Sequence, residues 1–380
     1  MSDETRRAPA AFVLTDDTGA TTTQGEASAV IGDDGLQVGP VTVAFLDADA
    51  VRVADYRIEI DCWPSGRLIL TQLGRRFDTF AAELIRSRNM ARVAGLLAHG
   101  IAPPELFEGA LLENGTRAAA CQVYQTHVTI VPDDGDPRQV PLGALSAVER
   151  QDEPPAVVFQ GRNGQRTTVG RLGRKCDEFH RAVTEQRDAQ SELLAAFTGS
   201  RAFADGLGVA RGQVAEFEDL VRRWSAPARA AGAATLIDVA RGAEPRLGLA
   251  QLLDPDADSM EATVALPVHW AAFLLVPIGS LTVLEILAGP SAATYVFGAP
   301  VDVVNQDLQA LHFRRHALAL QGSAAELTPQ NPSRLALRKL EPLIRLRRAI
   351  RARIIHNEGW QEGVRVALEG AEGWGVNSEG

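Results

Sequence analysis

The sequence predicts an α+β protein of tandem units. Each unit is a bent antiparallel sheet or small barrel capped by one C-terminal helix, and a helical C-terminal region follows. Three observations predict this. First, a block recurs: residues 73–80 read LGRRFDTF and residues 172–179 read LGRKCDEF, identical at Leu73/Leu172, Gly74/Gly173, Arg75/Arg174, Asp78/Asp177 and Phe80/Phe179. The match is collinear upstream, with Ala48-Asp49-Ala50-Val51-Arg52 against Leu145-Ser146-Ala147-Val148-Glu149. Second, short Val, Ile and Phe runs broken by turn residues precede each block, and helical spacing follows it. Third, 380 residues with 46% hydrophobic content are enough for cores in about two or three domains.

The elements follow in chain order. Residues 1–25 are expected to be flexible, and Met1 to Ala10 carries charges with no apolar run behind it, unlike a secretory leader. The first unit, 26–100, has strand signals at Ala29 to Ile31, Leu36 to Val38, Val41 to Leu46, Ala50 to Ala54, Arg57 to Cys62 and Arg67 to Leu73. Pro64-Ser65-Gly66 reads as a hairpin turn. Phe77, Phe80, Leu84 and Ile85 then recur at helical spacing, and Gly74 permits the sharp entry into that helix.

The second unit, 110–198, repeats the order. Its strands are Ala120 to Gln125, Val128 to Val131, Gln139 to Leu142, Leu145 to Arg150, Ala156 to Gln160 and Arg166 to Leu172. Asn163-Gly164 is its hairpin signal, and Cys176, Phe179 and Val183 mark its helix. A helical linker, 199–229, is centred on Gln213 to Trp224. A diverged third unit, 230–322, is expected, with strands at Ala234 to Ala240, Leu247 to Leu252, His269 to Pro277, Leu281 to Ala288 and Ala293 to Phe297 and a helix from Val301 to Leu320. Asn331 and Pro332 read as the cap and first turn of a basic helical region, 332–370, kinked at Pro342. Residues 371–380 are expected to fray.

Many short antiparallel strands closed by one helix resemble the pleckstrin-homology (PH-like) superfold. The resemblance implies an interaction module that docks peptides at open sheet edges or in the groove between helix and sheet. Family members that bind phosphoinositides use Lys and Arg in the loop between their first two strands. The positions read here as that loop are Gly32-Asp33-Asp34-Gly35 and Gln125-Thr126-His127, neither of them basic, so headgroup binding by that route is not expected.

Composition adds limits. Of 38 basic residues only Lys175 and Lys339 are lysine, which with the Ala and Gly content resembles GC-rich, actinobacterial-type codon use. A net charge of −10 argues against a chain that coats nucleic acid. Cys62, Cys121 and Cys176 form no metal or disulfide spacing and read as buried thiols in a reducing cytoplasm. The apolar stretch Val264 to Leu287 is broken by Pro267, Pro277, Gly279 and Glu285, so buried strands are expected and no spanning segment.

No nucleotide loop, nucleophile elbow or zinc-protease motif occurs. His312 and His316 are spaced for chelation, but Arg314 and Arg315 lie between them and no third ligand is evident. Asp254, Asp256 and Asp258 lack the glycine and glutamate of a calcium loop. His269 beside Trp270 reads as a packed or surface residue, and Gly206, Gly208 and Gly212 as a flexible join. The expectation is a protein that is not an enzyme and needs no cofactor or metal.

One charge anomaly stands out. Between Pro332 and His356 lie eight basic residues against the single acid Glu341, a segment of +7 that leaves −17 on the rest of the chain. Leu343, Leu346, Ile350 and Ile354 form an apolar stripe beside them. A basic amphipathic helix can lie on a membrane surface or bind nucleic acid, which makes Arg345, Arg347, Arg348, Arg351 and Arg353 candidate anion-binding residues. The favoured reading is that the stripe packs on this protein and the arginines pair with its own acidic units. The leading expectation is a cytoplasmic, non-enzymatic scaffold of PH-like repeats that binds another protein. Recruitment to an anionic surface comes second, and an unfamiliar enzyme third.

Overall fold

A computed structural model describes residues 3–64, 66–96, 105–113, 115–133, 137–161, 164–198, 209–211, 245–251, 270–288, 293–311, 318, 322–329 and 331–372. They form an α+β structure of three curled antiparallel sheets and a few helices.

The first sheet holds β1 (Arg7–Thr15), β2 (Thr21–Ile31), β3 (Gly35–Val38), β4 (Val41–Ala44), β5 (Ala48–Ala54), β6 (Arg57–Cys62) and β7 (Arg67–Thr71). The second holds β8 (Glu105–Leu111), β9 (Arg117–Val123), β10 (His127–Pro132), β11 (Arg138–Pro141), β12 (Leu145–Asp152), β13 (Pro155–Gly161) and β14 (Arg166–Gly170). Their strand orders are the same, β4-β3-β2-β1-β7-β6-β5 and β11-β10-β9-β8-β14-β13-β12. The first strand thus sits at the centre of each sheet, between two runs of hairpins.

The repeat extends to backbone detail. In both units the last strand turns into its helix through a left-handed residue, a buried leucine and a left-handed glycine. These are Gln72 (φ 62°), Leu73 and Gly74 (φ 58°), and Arg171 (φ 55°), Leu172 and Gly173 (φ 57°). The helices α1 (Phe77–Leu96) and α2 (Cys176–Thr198) follow. Phe77, Phe80, Ala81 and Leu84 enter the first core, and Cys176, Phe179, Ala182 and Val183 enter the second. Spacings of three and four place these side chains on one helix face, which covers the concave side of the sheet. Phe179 meets Phe107 and Phe159 edge-on, with ring centres 5.1 Å and 6.1 Å apart.

A bulge is also shared. Pairing slips between Ala48 and Ala50 at the start of β5, and between Leu145 and Ala147 at the start of β12. Asp49 and Ser146 are the unpaired residues, and such a bulge re-aims its side chain.

Residues 1–25 were expected to be flexible, yet β1 and most of the first long hairpin lie there, so the first unit begins near Arg7. Pro9 disguises β1. Only Ala11 to Thr15 pair with β7, so Pro9 lies where one side of the strand carries no partner and a missing N–H is tolerated. The first strand of the second unit, β8, precedes the expected boundary at 110 for a similar reason. It pairs with β14 only through Ala110 and Leu111.

The third sheet holds β15 (Val209–Arg211), β16 (Arg246–Gln251), β17 (Trp270–Ile278), β18 (Leu281–Ala288), β19 (Ala293–Phe297) and β20 (Ile350–Ile355), in simple sequential order. It does not repeat the order of the first two, and it draws strands from outside 230–322. Helices α3 (Val301–Leu311), α4 (Pro332–Lys339) and α5 (Glu341–Ala349) lie between β19 and β20, and α6 (Trp360–Glu372) follows. The 332–370 region is therefore not wholly helical, since β20 interrupts it and pairs with β19. Ala371 and Glu372, expected to fray, close α6. The third core joins Phe273, Tyr295 and Phe297 of the sheet to Val304 and Leu308 of α3 and to Leu343 and Leu346 of α5. The expected strand at Ala234 to Ala240 and the linker helix at Gln213 to Trp224 lie outside the described residues.

Candidate functional site

The basic C-terminal segment meets the first unit at a groove between α1 and the short turn Phe45–Asp47 that leads into β5. Local sequence builds the receiving side. The backbone N–H of Trp63 donates to the Asp47 carbonyl at 2.8 Å, which sets the indole beside the Asp47 carboxylate. The bulge turns Asp49 out of the β5–β6 ladder. Arg88 of α1 is buried and donates to the carbonyls of Ala48 and Asp49 at 2.9 Å and 2.7 Å, which ties the helix to the bulge.

α4 supplies the other side. Asn331 caps it by accepting from the Ser333 N–H at 2.9 Å, and Pro332 occupies its first turn. Arg334 and Arg338, four apart, share one helix face. Their guanidinium carbons lie 4.5 Å and 4.3 Å from the Trp63 ring centre. Arg334 Nε is 3.1 Å from Asp47 Oδ1, and Arg338 Nη1 donates to the same oxygen at 3.2 Å. Arg338 also donates to Asp49 and to the Leu46 carbonyl, and Lys339 Nζ lies 3.2 Å from Asp49 Oδ2. Beneath these charges Leu46, Val93 and Leu335 form a small apolar cluster joined by Val131 of β10. Asn89 of α1 donates to the Pro132 carbonyl at 2.9 Å, so the second unit closes the junction.

Burial is costly here. The Asp47 and Arg338 side chains are 11% and 8% exposed. Burial pushes Asp47 above its ordinary value, although Arg334 and Arg338 pull it back. Burial likewise lowers Arg338, against the opposing pull of Asp49 and Asp47. Both directions show desolvation outweighing the attraction, as expected for ion pairs taken out of water.

The five arginines singled out by the sequence are not gathered into one surface. Arg345 pairs with the buried Asp307 of α3, which raises its pKa through that hydrogen bond. Arg347 donates to the Gly322 carbonyl at 3.1 Å, and burial lowers it. Arg348 is exposed in the last turn of α5. Arg351 and Arg353 are not helical; both are exposed on β20, the edge strand, with the Arg351 guanidinium lying over Gly298. Trp63, Asp47 and Asp49, which complete the charged junction, were missed. Their partners lie 291 residues away in sequence for Asp47 and Arg338, so no local pattern joins them.

The loops that the resemblance made the first in each unit join the second and third strands instead. The true first loops, Asp16 to Ala20 and Leu112 to Thr116, are still not basic. Asp16 is lowered chiefly by its hydrogen bond from Thr18, and Glu113 pairs with Arg138. In the second unit Thr126 and His127 are buried, with Thr126 Oγ1 2.9 Å from His127 Nδ1. All three cysteines are free, and burial pushes Cys121 up to about 12 and Cys62 up to about 11. His269, His312, His316, the Asp254 to Asp258 cluster and Gly206, Gly208 and Gly212 lie outside the described residues. Among the described residues no cluster of three His, Cys, Asp or Glu could hold a metal ion, and no helix is long and apolar enough to cross a membrane. The sequence matches no protein-family model and no curated protein.

Proposed function

We propose that this chain is a non-enzymatic interaction scaffold of the bacterial cytoplasm whose first two units are PH-like repeats. One observation carries the reading. In both repeats the short turn ahead of the fifth strand receives a helix from elsewhere in the chain. α4 packs at Phe45–Asp47 of the first, and α3 packs at Leu142–Ala144 of the second. The first of these places lies between α1 and the turn, the kind of groove in which the PH-like resemblance implies peptide docking; the second lies against the turn and β11. A surface that already holds helices within the chain is suited to hold helices of other proteins. The acidic first loops favour a protein ligand over a phosphoinositide.

The test is affinity purification of the tagged full-length chain, followed by titration of each recovered protein against the purified chain. At least one stoichiometric, direct partner is expected. A chain that stays an inert monomer while no recovered protein binds it directly would overturn the reading.

A second reading has its own observation. Arg348, Arg351 and Arg353 are exposed and form no ion pair among the described residues. They are a candidate contact for an anionic membrane. Flotation with anionic vesicles at two salt concentrations decides it. Binding must weaken with salt and must vanish when all three are changed to alanine; gel shifts under the same conditions test nucleic acid.

A further inference from the structure

The Trp63, Asp47 and Asp49 group is chemically specific in a way its counterpart is not. In the second repeat the aligned positions are Ala144 for Asp47 and Ser146 for Asp49, and Ser146 donates to the Gln160 carbonyl of its own sheet. The two repeats share the turn and the bulge, but only the first carries an aromatic ring and two carboxylates there. A planar guanidinium stacks on an indole and forks onto carboxylates, whereas an ammonium is a strongly hydrated point charge. Two such guanidiniums, one helical turn apart, engage this group now.

The joint they make is small and polar. Its apolar part between α4 and the first unit is Leu46, Val93 and Leu335 with Ala91 and Leu340 at the margin, while Ala336 on the same helix belongs to the third core. Contacts of that kind between units of one chain resemble transient interfaces.

We propose that the Trp63, Asp47 and Asp49 group is an arginine-reading docking site for a helix of another protein that carries two arginines four residues apart. α4 is its internal stand-in. The proposal rests on the scaffold reading above and names the class of partner. Charge complementarity and the seated α4 commit the site to that occupant. When the third unit swings away, α4 leaves with it, held by Ala336, and the site opens to an external helix.

The probe is a fluorescent peptide of residues 328–342, titrated against the full-length wild-type chain and against the full-length variant R334E/R338E. The variant's own α4 is repelled from Asp47 and Asp49. The peptide should bind the variant at least about ten-fold more tightly than the wild type, a difference of one decade in Kd. A peptide with both arginines replaced by lysine should bind the variant several-fold more weakly. A folded variant that ignores the peptide, or that binds the lysine peptide equally well, overturns the proposal. If the variant does not fold, hydrogen exchange of the wild type decides. Excess arginine peptide must speed exchange across Pro332–Lys339 while Phe45–Asp47 stays protected, and unchanged exchange overturns it. A protein partner that still binds the chain when this peptide fails removes the docking site and leaves the scaffold reading standing.

Discussion

At the scale of single residues, the junction concentrates its energy in few groups. Arg338 stacks on Trp63 and bridges Asp47 and Asp49. Arg338→Ala uncovers the ring and leaves buried carboxylate charge short of a partner. We expect a loss of about 2 kcal/mol or more in urea unfolding, below the full cost of breaking a wholly buried pair. Asp47 gives a pH signature. Its folded pKa lies above its ordinary 3.8, so the folded state holds the proton more tightly. Its contribution is then fully present below 3.8 and is lost as pH rises through the folded value. The stability of the wild type minus that of Asp47→Asn should fall across that window and level off above it. A difference that rises with pH would falsify the raised value. Cys121 provides a control on core integrity. Burial holds its thiol near 12, so it should resist alkylation under native conditions far longer than the half-buried Cys62.

At the scale of elements, the helix-capped sheets depend on a few large side chains. Phe80 and Phe179 are fully buried at matching places, and either truncation to alanine should cost about 3–5 kcal/mol in thermal or urea unfolding. α6 offers a sharper test. A Cβ at Gly363 would come within 2.7 Å of Ile354 Cγ2 on β20. Gly363→Ala should lift α6 from the strand and speed its hydrogen exchange, and Ile354→Ala should restore part of the protection. The interior hairpins were legible because alternation and turn residues agree there. The opening strand β1 was not, because Pro9 and its alanines carry little strand signal. β20 was misread for a definite reason. Ile350 and Ile354 are four apart, which satisfies a helical period and a strand period at once, and the stripe from Leu343 and Leu346 decided for helix. The charged segment was visible from composition; its acceptors were not, because bulge geometry and a distant tryptophan create them.

For the whole molecule, the junction of α1, α4 and β10 ties the first unit to the second and third. Removing its carboxylates leaves the buried Arg334 and Arg338 uncompensated, so the junction should come apart without unfolding the sheets. The double variant D47N/D49N is expected to raise hydrogen exchange in Phe45–Asp47 and Pro332–Lys339 together while the second sheet keeps its protection. Loss of protection throughout all three sheets would show that the junction is part of one cooperative core instead.

The strand order carries a consequence in time. The first two sheets are complete as soon as their own residues exist, whereas the third waits for β20, made long after β19. Asp47 waits longer still, because Arg338 is 291 residues downstream. At ribosomal rates of about 5–20 residues per second, that interval is roughly 15–60 s. During synthesis the first unit therefore stands folded with its tryptophan and carboxylates uncovered, and whatever helix reaches them first need not come from the same chain.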